Sequence, residues 1–568
     1  LNIAVFAISA RGKSVGKRCA EALNGKLITP RRDELKASLS EIWHGSDAVV
    51  MIGSTGVAVR VTAPLLRDKE TDPAVIVVTE DGELVLPLTG AHLGGGADLS
   101  RTLASNLGAH LVSTTSTDRM NVAAPDLLCS RWGWKLEGRK ALVQTNGALL
   151  DGRKLLFWVD ENEETPPFPE GYLPCETPDE ADVVVSPRAL SLGSHQVQLV
   201  PPSLVAGMGC RKGVDRQILK ETLLRHFSEQ GYSIYSLGEI RTSTVKSKEK
   251  GLLSLAEELG VPLTKLEDEE IRSIDGNFSA SAATAYFDLP GVAEPCAASA
   301  GRLIGPRSAE RGTTVALGHR PARIEGKLYV VGTGPGDRKY MTFQAKEAID
   351  DSDAVVGYRL YVDQLPEEWL KGKKVERYGM GEEEARVASA MALARKGFQV
   401  SLVSGGDPIL FGMAGLARNM AEDLPVEVVP GLSAAQLAGA SAGAPYSNGL
   451  IMLSLSDYLQ PWESIKRALS GAASTGLTVA LYNPVRRDLD VKLEGVKKTY
   501  STRTGQTVWL MRDVGRPGES VKVMDLSELT SSDIDMRTLL LLPGEATVAR
   551  KGYLVDTRGY HSERKKRT

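Results

Sequence analysis

Short runs of aliphatic and β-branched residues alternate along this chain with longer stretches in which apolar positions recur every three or four residues. The runs have the length and composition of strands buried on both faces, and the stretches have the period of helices that cover them. This alternation predicts multi-domain α/β architecture, with parallel sheets layered between helices. In the first part, residues 3–8, 48–52, 74–79 and 84–88 read as strands, and 14–23 and 97–107 as helices. A second block opens near Ala141 and carries a loop over the proline- and acid-rich residues 161–170. A third opens with Ser203-Leu-Val-Ala-Gly-Met-Gly209, runs into a helix over about 215–230 and closes near 313–317. His319-Arg-Pro-Ala-Arg-Ile-Glu-Gly326 reads as a linker. The strand Lys327-Leu-Tyr-Val-Val-Gly332 then begins a last block, which turns at Pro430-Gly431.

Composition narrows the class. The 568 residues suffice for about three to five domains. Hydrophobic residues at 42% and charged residues at 24% fit a globular chain rather than a disordered one. A net charge of −3 supplies no basic field for nucleic acid, and 5% aromatics are thin for base stacking. The five cysteines form no CxxC pair, which argues against a zinc knuckle or a disulfide framework and for a reducing compartment. No metal-ligand set stands at usable spacing. The uncharged stretch 428–456 is broken by Pro430 and Pro445, so no membrane span is expected, and residues 1–8 read as a first strand rather than a leader. The expected location is cytoplasmic.

Two glycine-rich patterns mislead. Ala7-Ile-Ser-Ala-Arg-Gly-Lys-Ser14 resembles a phosphate loop but has alanine where the first glycine belongs. It carries a minority reading, a nucleotide-binding regulatory protein. In Gly332-Thr-Gly-Pro-Gly336 the third glycine of a dinucleotide fingerprint falls on Asp337, so no nicotinamide cofactor is expected. His44, His110, His195 and His226 read as solvated or structural.

The stronger signal is a set of turns that each follow an apolar run. These are Val331-Gly-Thr-Gly-Pro-Gly-Asp337, Leu402-Val-Ser-Gly-Gly-Asp-Pro-Ile-Leu-Phe-Gly412, Val428-Val-Pro-Gly-Leu-Ser-Ala-Ala435 and Val479-Ala-Leu-Tyr-Asn-Pro484. In open α/β sheets, ligands sit outside the carboxyl ends of strands, and glycine lets backbone groups approach them. With Met341-Thr342, Ala354-Val-Val-Gly-Tyr358 and Gly412-Met-Ala-Gly415, the set resembles the tetrapyrrole methylases, in particular their precorrin-3B carbon-17 methyltransferase branch. The resemblance implies a two-subdomain fold over residues 327–558, dividing at 429/430, with S-adenosylmethionine as methyl donor between the halves. By family position Pro335, Gly406, Asp407, Leu410, Phe411, Ser433, Ala434 and Asn483 line the donor pocket. Methyl transfer to an electron-rich ring carbon needs alignment and exclusion of water more than a base. The ring contraction that accompanies it calls for acid–base help, for which Asp337 and Arg359 are candidates.

The first part carries its own set: Gly53-Ser-Thr-Gly-Val-Ala-Val-Arg60, Ala63-Pro-Leu-Leu-Arg-Asp-Lys69, Pro87-Leu-Thr-Gly-Ala-His-Leu-Gly-Gly-Gly-Ala97, Thr114-Thr-Ser-Thr-Asp118, Gly207-Met-Gly-Cys-Arg-Lys-Gly213 and Val292-Ala-Glu-Pro-Cys-Ala-Ala298. These resemble the cobalt-precorrin-5A hydrolase family, which implies domains over 1–130, 131–198 and 199–318 joined by 319–326 to the methylase. That family opens a δ-lactone and releases acetaldehyde. Lactone opening requires an activated water, a stabilised oxyanion and a proton for the leaving oxygen. His92 is the candidate acid or base, and Arg60, expected to face it from the neighbouring strand–loop unit, is the candidate carboxylate anchor. Backbone groups of Gly94, Gly95 and Gly96, with Thr115, Asp118 and Arg211, are candidate substrate contacts, and Cys210 is a weaker nucleophile candidate. Cobalt enters only inside the tetrapyrrole substrate. The implied partners are that substrate, other enzymes of the corrin route and a second copy of the chain through the methylase half. The rival enzyme reading keeps the methyltransferase and makes the first part a substrate-binding module.

Overall fold

The computed structural model describes residues 2–68, 71–90, 96–112, 123–279, 289–484, 488–501 and 506–558. The chain forms two compact units, residues 1–165 with 171–323, and 324–568 with 166–170. Among the described residues, no helix is long and apolar enough to cross a membrane.

The first sheet of the first unit runs, in spatial order, Lys26–Ile28, Ile3–Ala7, Ala48–Ile52, Ala74–Val78, Leu84–Thr89 and His110–Leu111. Three of these strands, Ile3–Ala7, Ala48–Ile52 and Ala74–Val78, are buried at every position, because both faces are covered. Val5, Val50 and Ile76 point to Val15 and Cys19 of the helix Ala10–Leu23 and Leu103 of Gly96–Leu107. Phe6, Val49 and Val77 point the other way, to Leu39 of Leu35–Ile42 and Val61 of Thr55–Thr62. The first helix begins at Ala10, earlier than its apolar period indicates, because Ser9 caps it by accepting from Gly12 N–H at 2.9 Å.

In this sheet the parallel expectation fails at the last two strands, Leu84–Thr89 and His110–Leu111, with consequences for the site. Leu84–Thr89 pairs antiparallel to Ala74–Val78, with Val78 opposite Val85 and Val75 opposite Thr89. The link Thr79-Glu-Asp-Gly-Glu83 is far too short for a crossover, and its Asp81-Gly82 supplies a hairpin turn instead, with Gly82 at φ +75°. The carboxyl end of Leu84–Thr89 therefore lies at the opposite end of the sheet from Gly53, which follows Ala48–Ile52.

A second sheet runs Lys135–Glu137, Val197–Val200, Val183–Val185, Leu155–Val159, Tyr172–Pro174, with only the first strand antiparallel. The helices Pro125–Trp132 and Leu142–Leu150 belong to this part of the chain. A third sheet runs Leu263–Leu266, Leu237–Ser243, Leu204–Cys210, Thr313–His319, Arg302–Glu310, with Thr313–His319 antiparallel to both its neighbours. Thr313–His319 extends beyond its expected end. His319 is buried and bonded to Glu163 at 2.8 Å, so it is a packed strand end rather than a linker residue.

The second unit contains an all-parallel sheet, Lys374–Tyr378, Ala354–Tyr358, Gln399–Ser404, Lys327–Gly332, Val426–Val429, in that order. A mixed sheet, Leu450–Ser454, Thr478–Tyr482, Thr538–Leu542, Thr507–Arg512, Ser520–Asp525, forms the other large layer. Parallel neighbours share a carboxyl end, so the turns after Gln399–Ser404, Lys327–Gly332 and Val426–Val429 emerge side by side.

Candidate active sites

Those three turns are tied together by backbone. Gly334 N–H donates to Gly406 C=O at 3.1 Å, and Gly406 N–H returns a bond to Gly334 C=O at 2.8 Å. Gly334 and Gly406 hold φ +72° and +70°, where a side chain would be strained. A Cβ on Gly332 would stand 2.7 Å from Gly431 N and 2.8 Å from Gly406 O. The carboxylate of Asp407 closes the knot: one oxygen accepts from Ile409 N–H at 2.8 Å and Leu410 N–H at 3.3 Å, the other from Gly431 N–H at 3.1 Å.

Beside the knot, Ser433 caps the helix Ala434–Ala442 in a reciprocal box with Gln436. The Tyr482 hydroxyl oxygen accepts from Ala435 N–H at 2.7 Å, which pins the end of Thr478–Tyr482 to that helix. Burial pushes the Tyr482 phenol above its ordinary range. Phe411 lies 5.3 Å from the Tyr482 ring. Phe411, Asn483 and Asp513 are non-glycine residues held at φ +55°, +51° and +52°, the kind of backbone strain that collects at ligand sites.

These elements enclose a cavity of about 380 Å³. Pro335, Gly406, Asp407, Leu410, Phe411, Ser433, Ala434 and Asn483, the donor-pocket candidates, all line it. So do Tyr358, the end of the Ala354–Tyr358 motif, and Tyr361, Arg386, Asp513, Arg516 and Arg537, which the sequence pattern does not single out. Arg516 reaches Pro335 C=O at 2.9 Å, and Arg537 pairs with Asp513 at 3.2 Å.

Asp337 and Arg359 do not line this cavity. Asp337 is exposed and caps the turn Arg338–Tyr340, accepting from Lys339 N–H at 3.0 Å. That bond, with the Lys339 charge, holds its carboxyl below the usual range. Arg359 is exposed at the start of Arg359–Val362. Neither joins the donor-pocket candidates around this cavity.

In the first unit a cavity of about 570 Å³ opens at the carboxyl end of Leu84–Thr89. Leu66, Arg67 and Asp72 line it from the segment before Ala74–Val78, Leu88, Thr89 and Gly90 from the strand end, and Asp126, Arg139, Val143 and Asn146 from the second-sheet region. Asn146 Nδ2 donates to Asp126 at 3.3 Å, which leaves Asn146 Oδ1 buried with no hydrogen-bond partner, as is Thr89 Oγ1. Burial alone would raise the Asp72 carboxyl. Bonds from Arg67 N–H at 2.6 Å, Asp68 N–H at 2.9 Å and the Trp43 indole hold it below its ordinary value instead.

His92, Gly94, Gly95, Thr115 and Asp118 lie outside the described residues. Gly96 is buried, and its N–H is spent on Gly90 C=O at 3.1 Å, so it does not present that amide to a substrate. Arg60 sits exposed in the last turn of Thr55–Thr62 and does not line the cavity. The antiparallel strand is the reason, since it sends its Thr89-Gly90 end away from the Gly53 turn; among the described residues, the cations lining the cavity at that end are Arg67 and Arg139. Arg211 is exposed at a hairpin, its amide bonded to Gly312 C=O at 2.8 Å. Cys210 is buried, and desolvation pushes its thiol up to about 11, which removes it as a nucleophile at neutral pH. At the phosphate-loop lookalike, Ser9 takes the Gly12 amide that a phosphate would need.

Residues 327–530 match the family described as Tetrapyrrole (Corrin/Porphyrin) Methylases. Residues 37–118, 123–201 and 204–318 match those described as Cobalamin synthesis G N-terminal, Cobalamin biosynthesis central region and Cobalamin synthesis G C-terminus. A probable cobalt-factor III C(17)-methyltransferase of Methanothermobacter thermautotrophicus is 38% identical over 243 residues, 42% of this chain and 68% of that protein. The cobalt-precorrin-5A hydrolase of Salmonella typhimurium is 31% identical over 342 residues, 56% of this chain and 97% of that protein. The cobalamin biosynthesis protein CbiHC of Archaeoglobus fulgidus is 36% identical over 243 residues, 42% of this chain; the chain spans about half of that relative, 54% of its length.

Proposed function

We propose that this chain is a two-step enzyme of corrin-ring construction, and the premise is membership: it belongs to the tetrapyrrole methylase family over its second part and to the cobalt-precorrin-5A hydrolase family over its first. The second unit methylates carbon 17 of a cobalt-precorrin-3 or precorrin-3B substrate with ring contraction and closure of a δ-lactone. The first unit hydrolyses the δ-lactone of cobalt-precorrin-5A and releases acetaldehyde.

The observation that carries the methylase reading is the knot of Gly332, Gly334, Gly406 and Gly431 at one edge of a cavity ringed by every donor-pocket candidate. The residues fit S-adenosylmethionine: a cradle that side chains would fill, aromatic walls in Phe411 and Tyr482, and polar groups at Asp407, Ser433 and Asn483. When bound, that molecule supplies an electrophilic methyl on its sulfonium. The chain's part is to orient it through the Gly334–Gly406 backbone, to keep the three turns in register through Asp407, and to exclude water with Phe411 and Tyr482. No dedicated base is needed for that step.

For the hydrolase half, support comes from the first-unit cavity, where Thr89 and Asn146 offer two unpartnered oxygens beside Arg67 and Arg139. His92 remains the proposed acid or base, with Gly94, Gly95, Thr115 and Asp118 as proposed contacts. The macrocycle carries cobalt as part of the substrate. A second copy of the chain and other enzymes of the route are the proposed partners.

The test is direct. The full chain is titrated with S-adenosylmethionine by calorimetry, then incubated with a cobalt tetrapyrrole, with products identified by mass; acetaldehyde is trapped from cobalt-precorrin-5A. Donor binding, a gain of one methyl and acetaldehyde release are expected. Absence of donor binding refutes the methylase reading, and absence of acetaldehyde the hydrolase reading.

A further inference from the structure

The helix Glu383–Arg395 buries a continuous face, Arg386, Val387, Ala390, Met391 and Ala394, and one of those residues is a cation. The Arg386 side chain is 4% exposed yet lines the second-unit cavity. Its only ion pair among the described residues is with Glu383 at 3.5 Å, a glutamate 38% exposed on the same helix. Its guanidinium lies over the Tyr358 ring, 5.9 Å from the centroid, and its Nε is buried with no hydrogen-bond partner.

A guanidinium remains charged at every accessible pH, so it cannot escape burial by losing a proton. Buried charges are kept where they are paired, and an under-paired one in a cavity wall calls for an anionic partner from outside the chain. The surroundings match that demand. Tyr358 meets Tyr361 edge-on at 5.4 Å, and the Tyr361 ring closes over Gly405, where a Cβ would stand 2.6 Å from Cζ. The cation thus lies over one aromatic ring, which a second ring joins to the Gly405-Gly406-Asp407 turn. An aromatic wall with a forked donor suits a planar carboxylate-bearing ligand.

We propose that Arg386 is the carboxylate anchor of this cavity, pairing with a peripheral carboxylate of the tetrapyrrole or with the methionyl carboxylate of the donor; the inference rests on the methylase reading of the same site. Loss of a charge-assisted bond of this kind corresponds to about a 10- to 100-fold change in affinity.

The experiment compares wild type with Arg386→Leu and Arg386→Lys. It measures the dissociation constant of S-adenosylmethionine, the KM and kcat for the tetrapyrrole, and quenching of uroporphyrin, a polycarboxylate probe that needs no turnover. A 10- to 100-fold rise in tetrapyrrole KM with unchanged donor binding, partly restored by lysine, assigns the ring carboxylate. The same rise in the donor constant alone assigns the methionyl carboxylate. Met380, 55% exposed on the same cavity, gives a second variant outside the buried core. Met380→Glu should weaken the same ligand and Met380→Lys should not. Constants within threefold of wild type in Arg386→Leu, or equal effects of both Met380 variants, overturn the assignment. A wild type that binds no donor refutes the methylase reading instead. Uroporphyrin quenching that Arg386→Leu weakens then still supports the anchor, and quenching it leaves unchanged overturns it.

Discussion

Replacing Asp407 by alanine removes the acceptor that holds two strand-end turns together. The carboxylate takes Ile409 N–H at 2.8 Å, Gly431 N–H at 3.1 Å and, less well, Leu410 N–H at 3.3 Å. A hydrogen bond to a charged group contributes about 1.5–3 kcal/mol. Asp407 is only half-buried, so water replaces part of each bond and the lower end of that range applies. Two good bonds then amount to about 3 kcal/mol. Part of this is recovered by the Gly334–Gly406 pair, which alanine leaves intact. A loss of about 2 kcal/mol in organising the cradle predicts a roughly 30-fold rise in the S-adenosylmethionine dissociation constant. Asp407→Asn keeps one acceptor oxygen but turns an NH2 toward a donor, so an intermediate loss of about 1–1.5 kcal/mol, near 10-fold, is expected. Calorimetry on the full chain reads both values, and the thermal unfolding profile of the full chain, compared with wild type, serves as the folding control. A dissociation constant for Asp407→Ala within threefold of wild type refutes the argument that this carboxylate assembles the cradle.

Gly431→Ala should be more severe than Asp407→Asn, because the new methyl would collide with Gly406 O and stand 2.9 Å from Gly332 Cα; donor titration should show at least a 10-fold loss. In the first unit, Val143 is 84% exposed at the cavity, so Val143→Glu should raise the KM for acetaldehyde release several-fold without lowering the melting temperature, while Arg60→Ala should leave it unchanged. The reverse ranking would return the site to the Gly53 turn. Cys210, with its thiol pushed up to about 11, should resist iodoacetamide in the native protein at pH 8, as followed by peptide mass, and react only after unfolding.

Much was legible in the residues alone, for a local reason. An apolar run bounded by glycine or a charged turn admits few registers, and Ala48–Ile52 and Lys327–Gly332 occupy the positions the pattern indicates. The Gly-Pro-Gly, Gly-Gly-Asp-Pro and Pro-Gly-Leu-Ser turns mark strand ends because their backbone angles and close approaches exclude side chains. Arg386 was not legible, because in Glu383–Arg395 small apolar residues and charges are spread around the helix and no buried face stands out in the pattern. Strand direction was not legible from apolar pattern. A buried run reads the same in either sense, and only the hairpin at Asp81-Gly82 turned the end of Leu84–Thr89 away from Arg60 and toward Arg67 and Arg139. Nor could residues far apart in the chain announce their meeting. Tyr482 finds Ala435, and Gly334 finds Gly406, because parallel strands lay their carboxyl ends side by side. The sequence by itself determined the elements, the chemistry of their turns and, at the short Asp81-Gly82 link, the reversal of a strand, since those depend on neighbours within a few residues; which turns share a cavity was decided by sheet order, which exists only in the packed structure.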